Sequence, residues 1–387
     1  MKFPIYLDYN ATTPTDPQVV AAMLPYFTEH FGNAASRNHS FGWTAERVVE
    51  ACRDRLAGVF HGSGKDLIFT SGATESCNLA IFGAAVQHQP CGRHLITAAT
   101  EHKAVLDPCR ALQRQGWEVS VLEVDREGHL DLNQLGQSIR PDTVLISLMA
   151  ANNETGTLHP LEAIGALCRE RGVLFHTDAT QALGKIPLNV EQMNIDLLTV
   201  SAHKCYGPKG IGALYVRRFR DRPVLSPRLL GGGHESGLRS GTLNVPGIVG
   251  IAKAAELGAQ VLEAEATRQA SLCKALWEQI SRNLEGVFRH GPEAPRLPNT
   301  LNLSFDQVDG EALLLGLSEI ALASGSACTS SEPHPSYVLE AMGVPEPLAR
   351  ASLRFSIGRP TTQEEIDYVA GRVIDTVQRL RNSEPAP

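Results

Sequence analysis

With 387 residues, 43% of them apolar and 20% charged, the chain has the composition of a globular protein large enough for two domains. Its net charge of -7 argues against nucleic acid or an anionic membrane surface as the main partner. Neither a signal-like apolar core near Met1 nor an apolar run approaching the roughly 20 residues of a bilayer span stands out, so no membrane and a cytoplasmic setting are expected.

Residues 5–14 are short, mixed and turn-ended, more an arm than a domain. Helical spacing of apolar positions covers 17–31 and 44–60, separated by a loop at 32–42 rich in Asn, Ser and Ala. A regular alternation follows. Strands are expected at 66–70, 94–97, 118–122, 143–147, 173–177, 195–200 and 212–216, with helices or turns between them, which means a mostly parallel, doubly wound α/β sheet. After the glycine-rich stretch 231–241 a long helix from 245 to about 283 leads into a smaller α+β region. The expected division is a large domain over 15–259 and a small one from 1–14 with 260–387.

Two nucleotide-binding loops can be tested and fail. Gly62-Ser-Gly-Lys65 is followed by Asp66 where a P-loop needs Ser or Thr, and no register within 231–241 gives G-x-G-x-x-G after a strand. The eight cysteines include no C-x-x-C pair, so neither a disulfide framework nor a resident metal site is signalled.

What remains collects at strand ends. Lys204 follows the strand 195–200 beside the Gly207-Pro208 turn, where an amine stripped of water becomes a nucleophile toward carbonyls, or is simply a surface lysine. Thr70-Ser-Gly-Ala-Thr-Glu75 lies between a strand and a helix, so Thr74 and nearby amides suit either a phosphate cradle or a capping box. Asp178 ends the strand 173–177; it either pairs with a heteroaromatic nitrogen, with Gln181 donating to a neighbouring phenolate oxygen, or caps a helix. A cradle, an edge aspartate and an edge lysine together are the parts that hold pyridoxal phosphate. His102 would project over the same edge, able to stack on a ring and exchange protons, and Asn153 adds an amide there. Far along, Ser324-Gly-Ser-Ala-Cys328-Thr-Ser surrounds a thiol with small residues, a setting for a travelling nucleophile or a plain linker. Arg354 suits a substrate carboxylate or an interdomain salt bridge.

These residues, in this order, resemble the cysteine desulfurases of the NifS/IscS type, in the class V aminotransferase group of PLP fold type I. The matching stretches run from Tyr6-Leu-Asp-Tyr-Asn-Ala-Thr-Thr-Pro14 through Thr70-Ser-Gly-Ala-Thr-Glu-Ser76, Asn152-Asn-Glu-Thr-Gly156, His176-Thr-Asp-Ala-Thr-Gln181, His203-Lys204 and Arg239-Ser-Gly-Thr242 to Ser324–Ser330. The resemblance implies a large domain with a seven-stranded, mostly parallel sheet and a smaller α+β domain. It implies that Lys204 bonds to the cofactor and moves the substrate proton, that Asp178 pairs with the pyridine nitrogen, and that Gln181 contacts the phenolic oxygen. Ala73, Thr74, Ser201 and His203 would hold the phosphate, with Thr242 reaching in from the partner of a homodimer. His102 would stack and shuttle protons, while Asn153 and Arg354 bind the substrate carboxylate, Asn153 also touching the cofactor. Cys328 would take sulfur from L-cysteine as a persulfide, leaving alanine, and pass it to an acceptor protein for iron-sulfur cluster assembly or thiolation; through that persulfide Cys328 is the one residue open to transient iron-sulfur ligation. A selenocysteine lyase and another aminotransferase of the fold are the neighbouring readings. Two departures are visible. Cys205 stands beside Lys204 where relatives carry an aliphatic residue and reads as a small apolar substitute. The chain also ends at Pro387, short of the longer tail with which housekeeping relatives meet iron-sulfur scaffold proteins.

Overall fold

The N-terminal arm carries a two-residue strand, β1 (Ile5–Tyr6), and the apolar runs after residue 66 form β2 (Leu67–Thr70), β3 (His94–Ala98), β4 (Glu118–Leu122), β5 (Thr143–Ser147), β6 (Leu174–Asp178), β7 (Leu197–Ser201) and β8 (Gly212–Val216). These last seven build one sheet in the order β2-β8-β7-β6-β5-β3-β4. The structure is a computed structural model that describes residues 2–218, 224–324 and 335–383. Apart from the edge strand β4, the strands are buried on both faces, because helices cover each side; that is why they read as continuous apolar runs. Alternate residues still choose sides. Leu67 and Phe69 join one core cluster and Ile68 the other, as Leu198 and Val200 are set against Leu197.

β8 runs antiparallel to both its neighbours, β2 and β7, and the remaining pairings are parallel. Two reversals restore direction, so β2 points the same way as β7, and the carboxyl ends of β2, β3, β5, β6 and β7 meet along one edge. Ligands in such sheets bind outside those ends.

A second sheet, β12 (Ala323–Ser324), β13 (Ser352–Ser356), β10 (Thr300–Phe305) and β9 (Val287–His290) in that order, is antiparallel throughout. It packs in its own apolar cluster with the helix Gln363–Ser383. β1 pairs in parallel with β11 (Ile320–Ala321), and Asp8 bridges to Ser356, so the arm is tied to this sheet.

The helix Val245–Asn283 links the two bodies of core: Val245 to Ala255 sit in the first cluster, Leu272 to Ile280 in the other. By length and composition alone this helix could pass for a membrane span, but Lys253 and Glu256 interrupt its apolar run and the small apolar residues of its first half are buried against the protein's own elements. The helix expected over 17–31 needs correction: it is two helices, Pro17–Met23 and Pro25–Thr28, because Pro25 has no N–H to continue the ladder.

Candidate active site

A cavity of about 540 Å³ opens at the edge where the strands end. On its floor, β7 passes directly into Ser201, His203 and Lys204, so the strand register alone delivers these three side chains. Lys204 Nζ donates to the main-chain oxygens of Asn10 and Ala11 at 2.5 and 2.8 Å. The N-terminal arm therefore closes over the lysine. His203 Nδ1 lies 3.2 Å from Thr12 Oγ1, and burial, with Lys204 and Lys209 adding, pushes its pKa down to about 4, so this ring is neutral.

Beside the lysine, the turn after β2 leads into the helix Ala73–His88, whose first residues Ala73 and Thr74 line the cavity. A Cβ on Gly212 would sit 2.7 Å from Gly72 Cα, so the missing side chain of Gly212 is what lets this turn lie flat on β8. The capping alternative for Thr74 resolves in favour of another residue. Gly72 stands at the cap position without a side chain, and Glu75 reaches back to the Ser71 N–H at 2.8 Å. That leaves the first-turn amides directed at the cavity with no side chain capping them, the arrangement that attracts a phosphate.

Asp178 is the last residue of β6, and its Oδ1 accepts the Thr180 N–H at 3.0 Å. The local turn and the cavity thus share one carboxylate. Gln181 lines the wall beyond it. His102 caps the helix Lys103–Gln113 by accepting the Ala104 N–H on Nδ1 at 3.1 Å, which places the proton of the neutral ring on Nε2. The ring is open to the cavity on one side, yet the protein around it lowers its pKa; burial is the main cause, with Asp178 opposing and Lys204 assisting.

Opposite, Arg354 of β13 donates to Asp8 Oδ1 at 2.7 Å and to the Asn153 main-chain oxygen at 3.1 Å. Arg354 does form a salt bridge, though with Asp8 of the N-terminal arm that is tied to its own sheet rather than between the two expected domains, and these two contacts use only its terminal nitrogens. Arg354 Nε and Asn153 Oδ1 remain buried without a hydrogen-bond partner, on two residues that line the cavity. Unpaired buried polar atoms of this kind fit a polar ligand that completes them.

The structure thus brings together Lys204, Asp178, Gln181, His102, Ala73, Thr74, Ser201, His203, Asn153 and Arg354 around one cavity. Thr242 is exposed and does not line it; its segment is held near the cradle by Arg239, which donates to Glu75 at 2.8 Å. Cys328 lies outside the described residues. With uncapped amides for a phosphate, a carboxylate for a pyridine nitrogen and an amine for an aldehyde, the donor set fits pyridoxal phosphate.

Residues 5–369 match the family described as aminotransferase class-V. The cysteine desulfurase IscS of Anaeromyxobacter dehalogenans is 54% identical over 385 residues, covering 100% of this chain and 95% of that protein. The chain belongs to the class-V aminotransferases, among the IscS-type cysteine desulfurases. A solved NifS-like protein superposes with a TM-score of 0.89 at 36% identity, covering 97% of this chain and 100% of that one. Another, SspA in complex with cysteine, gives a TM-score of 0.81 at 36% identity over 91% of this chain and 98% of its own. The mostly parallel α/β sheet expected of a desulfurase is therefore the one observed.

In this desulfurase Cys205 is buried, donates to main-chain oxygens, and has its thiol pushed up to about 12 by burial. It packs as an apolar residue would, as the sequence suggested. Two polar residues with no role assigned from sequence turn out to organise the wall. Asn10 is buried and bonds to Gln181, Lys204, Lys185, Asn299 and Thr300, and Lys185 stands behind Gln181. Asn10 falls within the matched stretch 6–14, whereas Lys185 lies outside every matched stretch and no local pattern marks it.

Proposed function

We infer that this desulfurase binds pyridoxal phosphate in the cavity and uses it to convert L-cysteine to L-alanine, with the sulfur leaving as a persulfide on Cys328. The observation that carries the reading is the convergence of Lys204, Asp178 and the uncapped helix start on one strand edge. The cofactor, when bound, supplies an electron sink for the charge left on the substrate Cα. The chain supplies the rest. Lys204 is the attachment point and, once released, the base that moves the α-proton. Asp178 holds a proton on the pyridine nitrogen, Gln181 donates to the phenolic oxygen, and Ala73, Thr74, Ser201 and His203 hold the phosphate. His102, neutral with its proton on Nε2, stacks and relays protons. The substrate carboxylate completes Arg354 Nε, with Asn153 beside it.

The chain divides into a large domain over 15–259, with a core on each face of the seven-stranded sheet, and a small one from 1–14 with 260–387, built on the antiparallel sheet, so that Arg354 and Cys328 come from the small domain and Lys204 from the large. The protein works as a cytoplasmic homodimer to which Thr242 of each copy contributes across the interface. Support for the dimer comes from exposed Leu24, Phe27, Phe31, Phe41 and Trp43, close together in sequence, where a lone chain would leave large apolar groups in water. The persulfide passes to a sulfur-acceptor protein serving iron-sulfur assembly or thiolation.

Incubation with L-cysteine is expected to give alanine and a persulfide mapped by mass to Cys328, and Cys328→Ala is expected to keep the bound-cofactor absorbance while losing sulfide release. A persulfide elsewhere, or full sulfide release by Cys328→Ala, overturns the assignment.

A further inference from the structure

Gln181 carries an amide whose two ends are nearly alike in shape and opposite in hydrogen bonding, so its usefulness depends on what fixes its orientation. Its Nε2 donates to the Asn10 main-chain oxygen at 2.9 Å, and its Oε1 accepts from Lys185 Nζ at 2.7 Å. The reverse orientation would set NH2 against an amine and an oxygen against a carbonyl, losing both bonds and burying two mismatches. Lys185 also donates to Asn10 Oδ1 at 3.2 Å, and Asn10 Nδ2 in turn donates to the Asn153 main-chain oxygen and to Thr300 Oγ1 at 3.1 and 2.8 Å. The Asn10 amide is thereby fixed by the same logic. Its main-chain oxygen is shared between Gln181 Nε2 and Lys204 Nζ, which sets the Gln181 amide beside the reactive lysine.

We propose that Lys185 is a positioning residue for the cofactor: it locks Gln181 so that the second Nε2 proton is offered to the phenolic oxygen. The inference rests on the cofactor reading given above. Burial, with Lys204 adding, lowers the Lys185 pKa to about 7, against the pull of Cys205 and with Arg354 nearby, yet the amine donates in both charge states, so the lock does not depend on which one is present. The lysine is carried on the turn that begins at Ala179, where the Ala182 N–H bonds to the Ala179 oxygen and the Lys185 N–H to the Ala182 oxygen. A Cβ on Gly258 of the long helix would sit 3.2 Å from the Cα of Gly184, itself at φ +71°, so a bare glycine on the helix leaves room for this turn to seat against the core.

The test is reconstitution of the full-length apoprotein with pyridoxal phosphate, read as the dissociation constant and the position of the visible absorbance band. Lys185→Met is expected to weaken binding about tenfold, the equivalent of about 1.4 kcal/mol for one lost hydrogen bond, and to shift the band. In a Gln181→Ala background the same change is expected to do nothing further. Lys185→Gln keeps a donor and is expected to bind within about threefold of wild type, which reads the role even if the methionine variant does not fold. The proposal is overturned by a Lys185→Met protein with wild-type affinity and band, by a full tenfold loss persisting in the Gln181→Ala background, or by a glutamine variant as impaired as the methionine one. A wild-type apoprotein that gives no band at all with pyridoxal phosphate would instead refute the cofactor reading itself.

Discussion

Glu235 holds the outer edge of the sheet on β2, the strand that leads into the helix Ala73–His88, and its removal has a calculable cost. β2 is an edge strand, so the outward Leu67 carbonyl and Phe69 N–H have no neighbouring strand. Side chains take its place. Arg53, from the helix Ser40–Val59, donates to the Leu67 oxygen at 2.7 Å, and Glu235 Oε2 accepts the Phe69 N–H at 2.6 Å. The two groups pair through both carboxylate oxygens at 2.8 and 2.7 Å, with side chains only 9% and 1% exposed. Glu235→Ala strands the guanidinium and orphans an amide. Breaking a buried pair costs about 3–5 kcal/mol, and the remaining contact of Arg53 with Glu50 at 3.2 Å favours the low end. The unpaired Phe69 amide adds about 1 kcal/mol or more, giving about 4 in all. With a urea slope of at least about 3 kcal/mol/M for a chain of this size, the unfolding midpoint should fall by about 1 M. The double variant Arg53→Met, Glu235→Leu removes both charges and should lose less than Glu235→Ala alone. A single-variant shift under about 0.3 M, or a double variant worse than the single, would refute the argument.

Arg354→Gln should raise the KM for cysteine by about 10- to 100-fold with a smaller change in kcat, since hydrogen bonds to a charged group contribute about 1.5–3 kcal/mol; steady-state kinetics check this, and an unchanged KM would count against a carboxylate site there. For His102, burial and Lys204 lower the pKa below the usual 6.5, so the neutral ring persists to lower pH than in free imidazole. The acid limb of kcat/KM should lie below pH 6.5 and disappear in His102→Gln; a limb above it would contradict the role. His159 is buried with no partner on either ring nitrogen and has its pKa pushed down to about 4. Between pH 6.5 and 4 the unfolded chain takes up a proton that the native state refuses, so stability falls as pH falls through that window, by at most about 3 kcal/mol from this group. Urea midpoints measured across that range should decline less steeply in His159→Gln, and an identical decline would exclude His159 as a source.

Much of the site was legible because its residues sit where local patterns stop. The runs 118–122, 143–147 and 212–216 became β4, β5 and β8 over the same residues, since short apolar stretches between turn residues have few other options. Asp178 and Lys204 could be read as edge groups because each lies at the end of such a run, and parallel strands deliver their ends to a common edge whatever the rest of the chain does. Apolar spacing runs on through Pro25 and predicts one helix there, but the missing N–H of Pro25 splits it in two.

The direction of β8, the bond from Gln181 back to Asn10 across 171 residues, and the pairing of Arg53 with Glu235 across 182 were not available in the same way. Sequence determined which segments would be the strands of the large sheet, and that Lys204, Asp178 and the turn before Ala73 would share one edge, because backbone geometry and apolar periodicity act over a few residues. Only the tertiary structure decided that Asn10 and Lys185 hold Gln181 in one orientation, because the partner of a buried polar group is set by which distant segments the folded core brings within 3 Å, and no local preference encodes that meeting.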